Sequence, residues 1–260
     1  MWKIKEEDLD QFRVTCKSRL SPEGALGFMI GTIVYVSVMM FFLIGTLVTF
    51  GWDYYTSLFE KTIVKIELVL YSLQIIFLIL YSFPKARFKF QEFQTIVVLL
   101  YAFQLGTILF TALILPGISD YTIDGITLVY VGFLFIGAVI LHIVTTIDTF
   151  KQASEGAFSM NERSAPFFSK TKGAMMKVAL IYALILLVLI YFHNDYAIDT
   201  LIGYVIGTVL LYTVAVGAAE FQLLVYCRFK FKSFNMTWEE NERMRGKTRK
   251  QNKKSKSKSK

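Results

Sequence analysis

Charged residues cluster along this 260-residue chain, and the gaps between the clusters set its class. Six stretches are almost uniformly apolar: about 25–50, 62–83, 96–116, 126–147, 174–192 and 199–224. A helix needs about 20 such residues to cross roughly 30 Å of hydrocarbon, and an open chain in a bilayer must satisfy its own backbone, which a helix does. The pattern predicts an all-α polytopic membrane protein with six transmembrane helices. The first run starts some 25 residues in, follows an acidic-basic segment and is too long for a signal-peptide core, so it is expected to stay in the mature protein.

Between the runs, the spacing of polar and apolar residues predicts smaller features. Leu9, Phe12, Cys16 and Leu20 fall on one helical stripe with charges around it, as in a short amphipathic helix lying at the membrane interface. "SPEG" at 21–24 then restarts the helix, with Ser21 as N-cap and Pro22 at the first position. The segment "PKARFKFQEF" (84–93) alternates cations with Phe88, Phe90 and Phe93, and is expected to lie on the headgroups, rings inward, or to dock a partner. The longest connection, about 148–173, carries Phe167 and Phe168 but is too short for a domain.

Charge then orients the chain. The net charge of +8 arises in the segment 228–260, which holds 13 Lys/Arg against three Glu. The clusters at 1–24, 84–95, 148–177 and 228–260 hold 26 of the 28 basic residues, and only Lys61 and Lys65 fall on the opposite side. Basic residues stay cytoplasmic. Both termini are therefore expected inside a cell membrane, with loops 51–61, 117–125 and 193–198 outside. The chain divides into a cytoplasmic interfacial segment (1–24), a six-helix domain (25–227) and a basic tail (228–260), disordered towards its end and held loosely on anionic headgroups. No aromatic is interleaved with the last charges to stack on bases, so nucleic acid is not an expected partner. "NMT" (235–237) is a glycosylation sequon on the side where it has no meaning.

Candidate chemistry is thin. There is no phosphate-binding glycine loop, HExxH or GxSxG, and no Cys/His cluster; no enzyme activity, cofactor or metal is expected. Cys16 and Cys227 suggest no disulfide framework. The paired carboxylates of the outer loops (Asp53 and Glu60, Asp120 and Asp124, Asp195 and Asp199) read as solvated tips, and His193 with Asp195 as an isolated pair. Gly27 with Gly31 and Gly203 with Gly207, in the similar strings "GFMIGT" and "GYVIGT", are expected to let helices pack closely. Spans 1 and 6 run oppositely, and spans 2–5 show no matching similarity, so no internal repeat is expected.

Four polar residues inside the spans remain. Gln74 and Gln104 are interior amides suited to interhelical hydrogen bonds. Glu220 falls about 30 Å into the last span, at the far edge of the hydrocarbon, with Arg228 and the tail supplying counter-charge. His142 shares that leaflet, and either pairs with Glu220, lines an inward vestibule or packs as a satisfied core histidine. Glu67 lies near an outer end and can reach outward.

The general plan is similar to that of a six-span permease subunit of an ABC exporter, a likeness of architecture that transfers no residues. It implies a transport subunit, dimerised and driven by a separate ATPase docking on 84–95 or 148–173. The alternative is a scaffold, secretion-accessory or immunity protein acting through its helices and tail.

Overall fold

The structure is a computed structural model that describes residues 3–116, 123–159, 170–193, 198–243 and 246. Helices α1 (Asp10–Lys17), α2 (Pro22–Phe50), α3 (Leu58–Ser82), α4 (Pro84–Lys89), α5 (Gln91–Ile114), α6 (Gly125–Ser154), α7 (Lys170–His193) and α8 (Ile198–Lys230) account for most of them. Six of these, α2, α3, α5, α6, α7 and α8, are long and apolar enough to cross a membrane. Asp120, Asp195, Phe167, Phe168 and the tail 249–260 lie outside the described residues.

Local chemistry sets the helix starts. The Ser21 hydroxyl accepts from the Gly24 amide at 3.2 Å, with Pro22 following it. Ser57 and Glu60 form a reciprocal capping box, so α3 begins at Leu58, earlier than its apolar run implies. Asp124 accepts from the amides of Ile126 and Thr127 at 2.8 and 3.0 Å. At their far ends α6 and α8 also outrun their apolar stretches, to Ser154 and Lys230, because other segments pack around them there.

Most of the contact between the long helices falls into two groups of three. In the first, α5 packs along α2, α2 along α3, and α3 less extensively back on α5; in the second, α8 packs along α6, α6 along α7, and α7 back on α8. The groups join along α5 and α8, the most extensive helix pairing among the described residues. That pair is antiparallel: Gly203 meets Leu113, Gly207 meets Phe110, Gly106 meets Leu211 and Val214, and Arg228 reaches Gln91. Within the groups α2 runs parallel to α5 (Pro22 beside Gln94), and α6 parallel to α8 (Leu134 beside Tyr212, Thr146 beside Gln222). So α2 and α6 run oppositely, and the second triplet repeats the contact order of the first in inverted orientation. Three spans are an odd number, so two such halves must run oppositely; the shared contact order alone does not establish an internal repeat. In that contact order span 4 stands where span 1 does, and the two glycine strings, on spans 1 and 6, play no part in it.

Close approach occurs elsewhere than at the first glycine pair. Gly27 and Gly31 face open space on the outside of α2: among the described residues no atom lies within 4 Å of where a Cβ would stand. Gly203 and Gly207 pack under the side chains of Leu113 and Phe110. The tightest glycine contact between long helices is Gly137 of α6: a Cβ there would stand 2.5 Å from both Tyr182 of α7 and the Tyr212 hydroxyl of α8. Those tyrosines donate to the carbonyls of Phe133 (2.9 Å) and Leu134 (3.2 Å) one turn back. The remaining faces of the long helices expose Val, Ile, Leu and Phe, a surface suited to lipid.

One end of the bundle is capped by protein. Leu9, Phe12, Cys16 and Leu20 do not lie on an open interface: they are buried against Ala153 of α6, Leu223, Leu224 and Cys227 of α8, and Phe234. Phe12 also packs against Phe158, whose carbonyl accepts from the Gln11 amide at 2.9 Å. The chain after α8 folds back beneath α4 and α5, where Gln91 exchanges two hydrogen bonds with the Met236 backbone and Phe88 meets Trp238 edge-on. Lys17 pairs with Glu240 at 2.8 Å, so the N-terminal segment and the chain after α8 share this end. In the 84–93 segment Lys85 and Lys89 are exposed as expected, and Arg87 is the exception. Arg87 is buried, donating to the last carbonyls of α3 (Tyr81 and Ser82), where a cation suits the negative helix end.

Candidate functional site

Two polar groups interrupt the apolar interior, one in each triplet. The first lies on one face of α3, where Glu67, Tyr71 and Gln74 recur at the four- and three-residue spacing of a helical stripe. Glu67 is the tenth residue of α3, about 13 Å from its start at 1.5 Å per residue. Its side chain does not reach outward; the residue is 5% exposed. The Gln104 amide donates to Glu67 Oε2 at 2.8 Å and the Thr111 hydroxyl to Oε1 at 2.9 Å, both from α5. Among the described residues no Lys, Arg or His lies within ion-pairing distance of this carboxylate. Lys65, two positions away, sits over the Trp52 ring instead.

The seam continues towards the capped end. Tyr71 and Ser37 of α2 share a hydroxyl–hydroxyl bond of 2.8 Å. Tyr101 of α5 donates to the Gln74 backbone carbonyl. The Gln74 side chain is fully buried, and neither its oxygen nor its nitrogen finds a hydrogen-bond partner among the described residues. Thr32 Oγ1, Tyr35 Oη and Gln104 Oε1, on α2 and α5, are likewise buried without a partner. Native interiors leave few such groups, and those left usually bind water or ions.

The second group is closed on itself. His142 Nδ1 lies 2.8 Å from the Ala215 carbonyl and Nε2 lies 3.0 Å from Gln222 Nε2, while Thr146 donates to Gln222 Oε1 at 2.9 Å. A carbonyl on one nitrogen and an amide N–H on the other suit the neutral ring with its proton on Nδ1. Phe103 packs edge-on against the ring. The structure thus brings His142 to Gln222, not to Glu220.

No family model, curated protein or solved structure matches this chain. Site assignments therefore stand on geometry alone.

Glu220 is half-buried near the capped end, 3.4 Å from Arg19 of the N-terminal segment, with Lys172 of α7 also in its field. Arg228 is not its counter-charge. The Arg228 guanidinium is buried and donates to the Gln91 carbonyl (3.1 Å), Thr95 Oγ1 (2.7 Å) and the Leu20 carbonyl (3.0 Å), tying α8, α5 and the N-terminal segment together. At the other end His193 approaches Asp124 at 3.2 Å. Cys16 and Cys227 are both buried free thiols, and burial pushes the Cys16 thiol up from its ordinary value.

Sequence reasoning placed Glu67 too near the surface, missed Tyr71 and Thr111, and gave Arg228 the wrong partner. The signal for the first three was present: Glu67, Tyr71 and Gln74 on one stripe of span 2, and Tyr101, Gln104 and Thr111 on one stripe of span 3, two polar faces in runs otherwise apolar.

Proposed function

We propose that this chain is a transport subunit of the cell membrane, its capped end and both termini cytoplasmic, whose two inverted triplets rock against each other along α5 and α8. The observation that carries the reading is that the two three-helix groups, opposite in orientation as three-span halves must be, share one contact order. Inverted repeats are the common plan of membrane carriers, because two oppositely oriented copies of one unit can exchange conformations and so open a shared site to either side in turn. The support is fold-level analogy, joined to a polar seam inside one triplet. Basic clusters at the capped end give the orientation. The connections first assigned to an ATPase are partly covered by the chain's own termini, Phe88 by Trp238 and Phe158 by Phe12. Work is therefore drawn from an ion gradient, or from a separate subunit docking on what remains exposed at that end.

Alternating exposure of buried positions tests the reading. In a background with Cys16 and Cys227 replaced by alanine, Ala102→Cys on α5 and Ala215→Cys on α8 report on buried sites. A membrane-impermeant maleimide is applied to right-side-out and to inverted vesicles. Asp53→Cys labelled only from outside and Lys89→Cys only from inside establish the orientation. Labelling of the buried positions from both faces supports transport. Labelling from one face alone, or from neither, overturns it in favour of the scaffold reading.

A further inference from the structure

We propose that the carboxyl group of Glu67 is a reversible proton-binding site, and that the polar seam between α2, α3 and α5 is the path by which its proton is exchanged. The inference deepens the transport reading and rests on it for the proton's use; the binding itself stands on the seam. A carboxylate in an apolar bundle has two ways to shed the cost of its charge: pair with a cation or accept a proton. Among the described residues no cation reaches Glu67. What faces it is neutral: Gln104 and Thr111 from α5, and beyond them only tyrosines among titratable groups, Tyr71 on α3, Tyr101 on α5 and Tyr35 on α2.

The donors also discriminate between ions. Sodium or another metal cation needs several oxygens converging on it, whereas Gln104 turns its N–H, and Thr111 its O–H, towards Glu67. Both bonds survive when Glu67 gains a proton, because each carboxyl oxygen has a second acceptor position. The proton is the cation this arrangement accepts without turning the amide away.

An exchange path runs along the same face of α3. Tyr71 and Ser37 stand one turn from Glu67, and the unpartnered Gln74 amide stands one further turn towards the capped end. Three further unpartnered atoms, Thr32 Oγ1, Tyr35 Oη and Gln104 Oε1, belong to the two flanking helices; the rest, Gln94 Oε1 among them, lie nearer the capped end. Each is a place where a water molecule completes the hydrogen bonding, and a file of hydroxyls, amides and waters carries protons.

Dicyclohexylcarbodiimide tests this on the native chain. The reagent enters apolar sites and adds to a carboxyl only in its acid form: the proton passes to a carbodiimide nitrogen, the carboxyl oxygen to the central carbon, and the acyl group then migrates to nitrogen, with nothing lost. In native membranes the adduct should appear on Glu67 by peptide mass, and its rate should fall about tenfold per pH unit above the midpoint of the group. Sodium at constant pH should not slow it, and Glu67→Gln should abolish it. No adduct on Glu67 at any pH, a rate indifferent to pH, or protection by sodium overturns the proposal. Proteoliposomes carrying an internal pH dye separate the two readings. A labelled Glu67 without proton flux keeps the site and removes the transport function; flux that survives in Glu67→Gln removes the site and keeps transport.

Discussion

Gly137→Ala tests the packing of the second triplet more sharply than any other single change. The added methyl would stand 2.5 Å from the Tyr182 ring and from the Tyr212 hydroxyl, so both side chains must retreat by about 1 Å, since ordinary carbon contacts begin near 3.5 Å. That retreat breaks or stretches their bonds to the Phe133 and Leu134 carbonyls. Overpacking costs about 1–3 kcal/mol, and two neutral hydrogen bonds about 0.5–1.5 kcal/mol each. Against this, alanine is better than glycine inside a helix by about 1 kcal/mol. The balance is a loss of about 1–5 kcal/mol, or a fall in Tm of some 2–20 °C for a chain of this size. Gly132, on the same helix, has no atom within 4 Å of a built Cβ, so Gly132→Ala keeps the propensity gain and escapes the clash. Melting of both variants in one detergent at one scan rate gives the answer. A Gly137→Ala protein as stable as Gly132→Ala would refute the three-way contact of α6, α7 and α8.

Arg228→Met keeps most of the apolar volume but strands the Gln91 and Leu20 carbonyls, at about 1–3 kcal/mol each, offset in part by no longer burying a charge; it should expose Lys17 and Arg19 to trypsin, and an unchanged digestion pattern contradicts the staple. Glu220→Gln removes only a 3.4 Å pair with a mostly exposed Arg19, worth under about 1 kcal/mol; a Tm loss beyond about 4 °C would show a larger role. Because burial pushes the Cys16 thiol up, the folded chain holds that proton more tightly than the unfolded one. The stability it contributes is therefore whole below about pH 8.5 and drains away as pH rises further; Cys16→Ala should flatten this alkaline decline, measured as Tm against pH.

What the chain discloses before folding divides by physical cause. The six spans were legible because hydrocarbon demands a long, uncharged helix, and runs such as 126–147 can satisfy no other environment. Glu67 was misjudged because its span was started at 62; the Ser57–Glu60 capping box moves the start of α3 to Leu58 and so places the carboxylate deeper. The partners of the 9–20 stripe could not be read at all. An amphipathic helix next to a membrane looks the same whether its apolar face meets lipid or protein, and here Leu223, Leu224 and Phe234 decide it from the far end of the sequence. Arg228 misled for the opposite reason: nearness along the chain suggested Glu220, while the helix directs the guanidinium at α5.

The cap also imposes a timetable on synthesis. Leu20 and Arg228, which it joins, are 208 positions apart. At roughly 5–20 residues per second a ribosome needs about 10–40 s to make the intervening chain. Through that interval the stripe of Leu9, Phe12, Cys16 and Leu20 has been made but its partners have not. An apolar helical stripe in that position adsorbs to the bilayer surface, so the nascent segment occupies the lipid interface first and leaves it when α8 and the chain beyond it arrive to cover it.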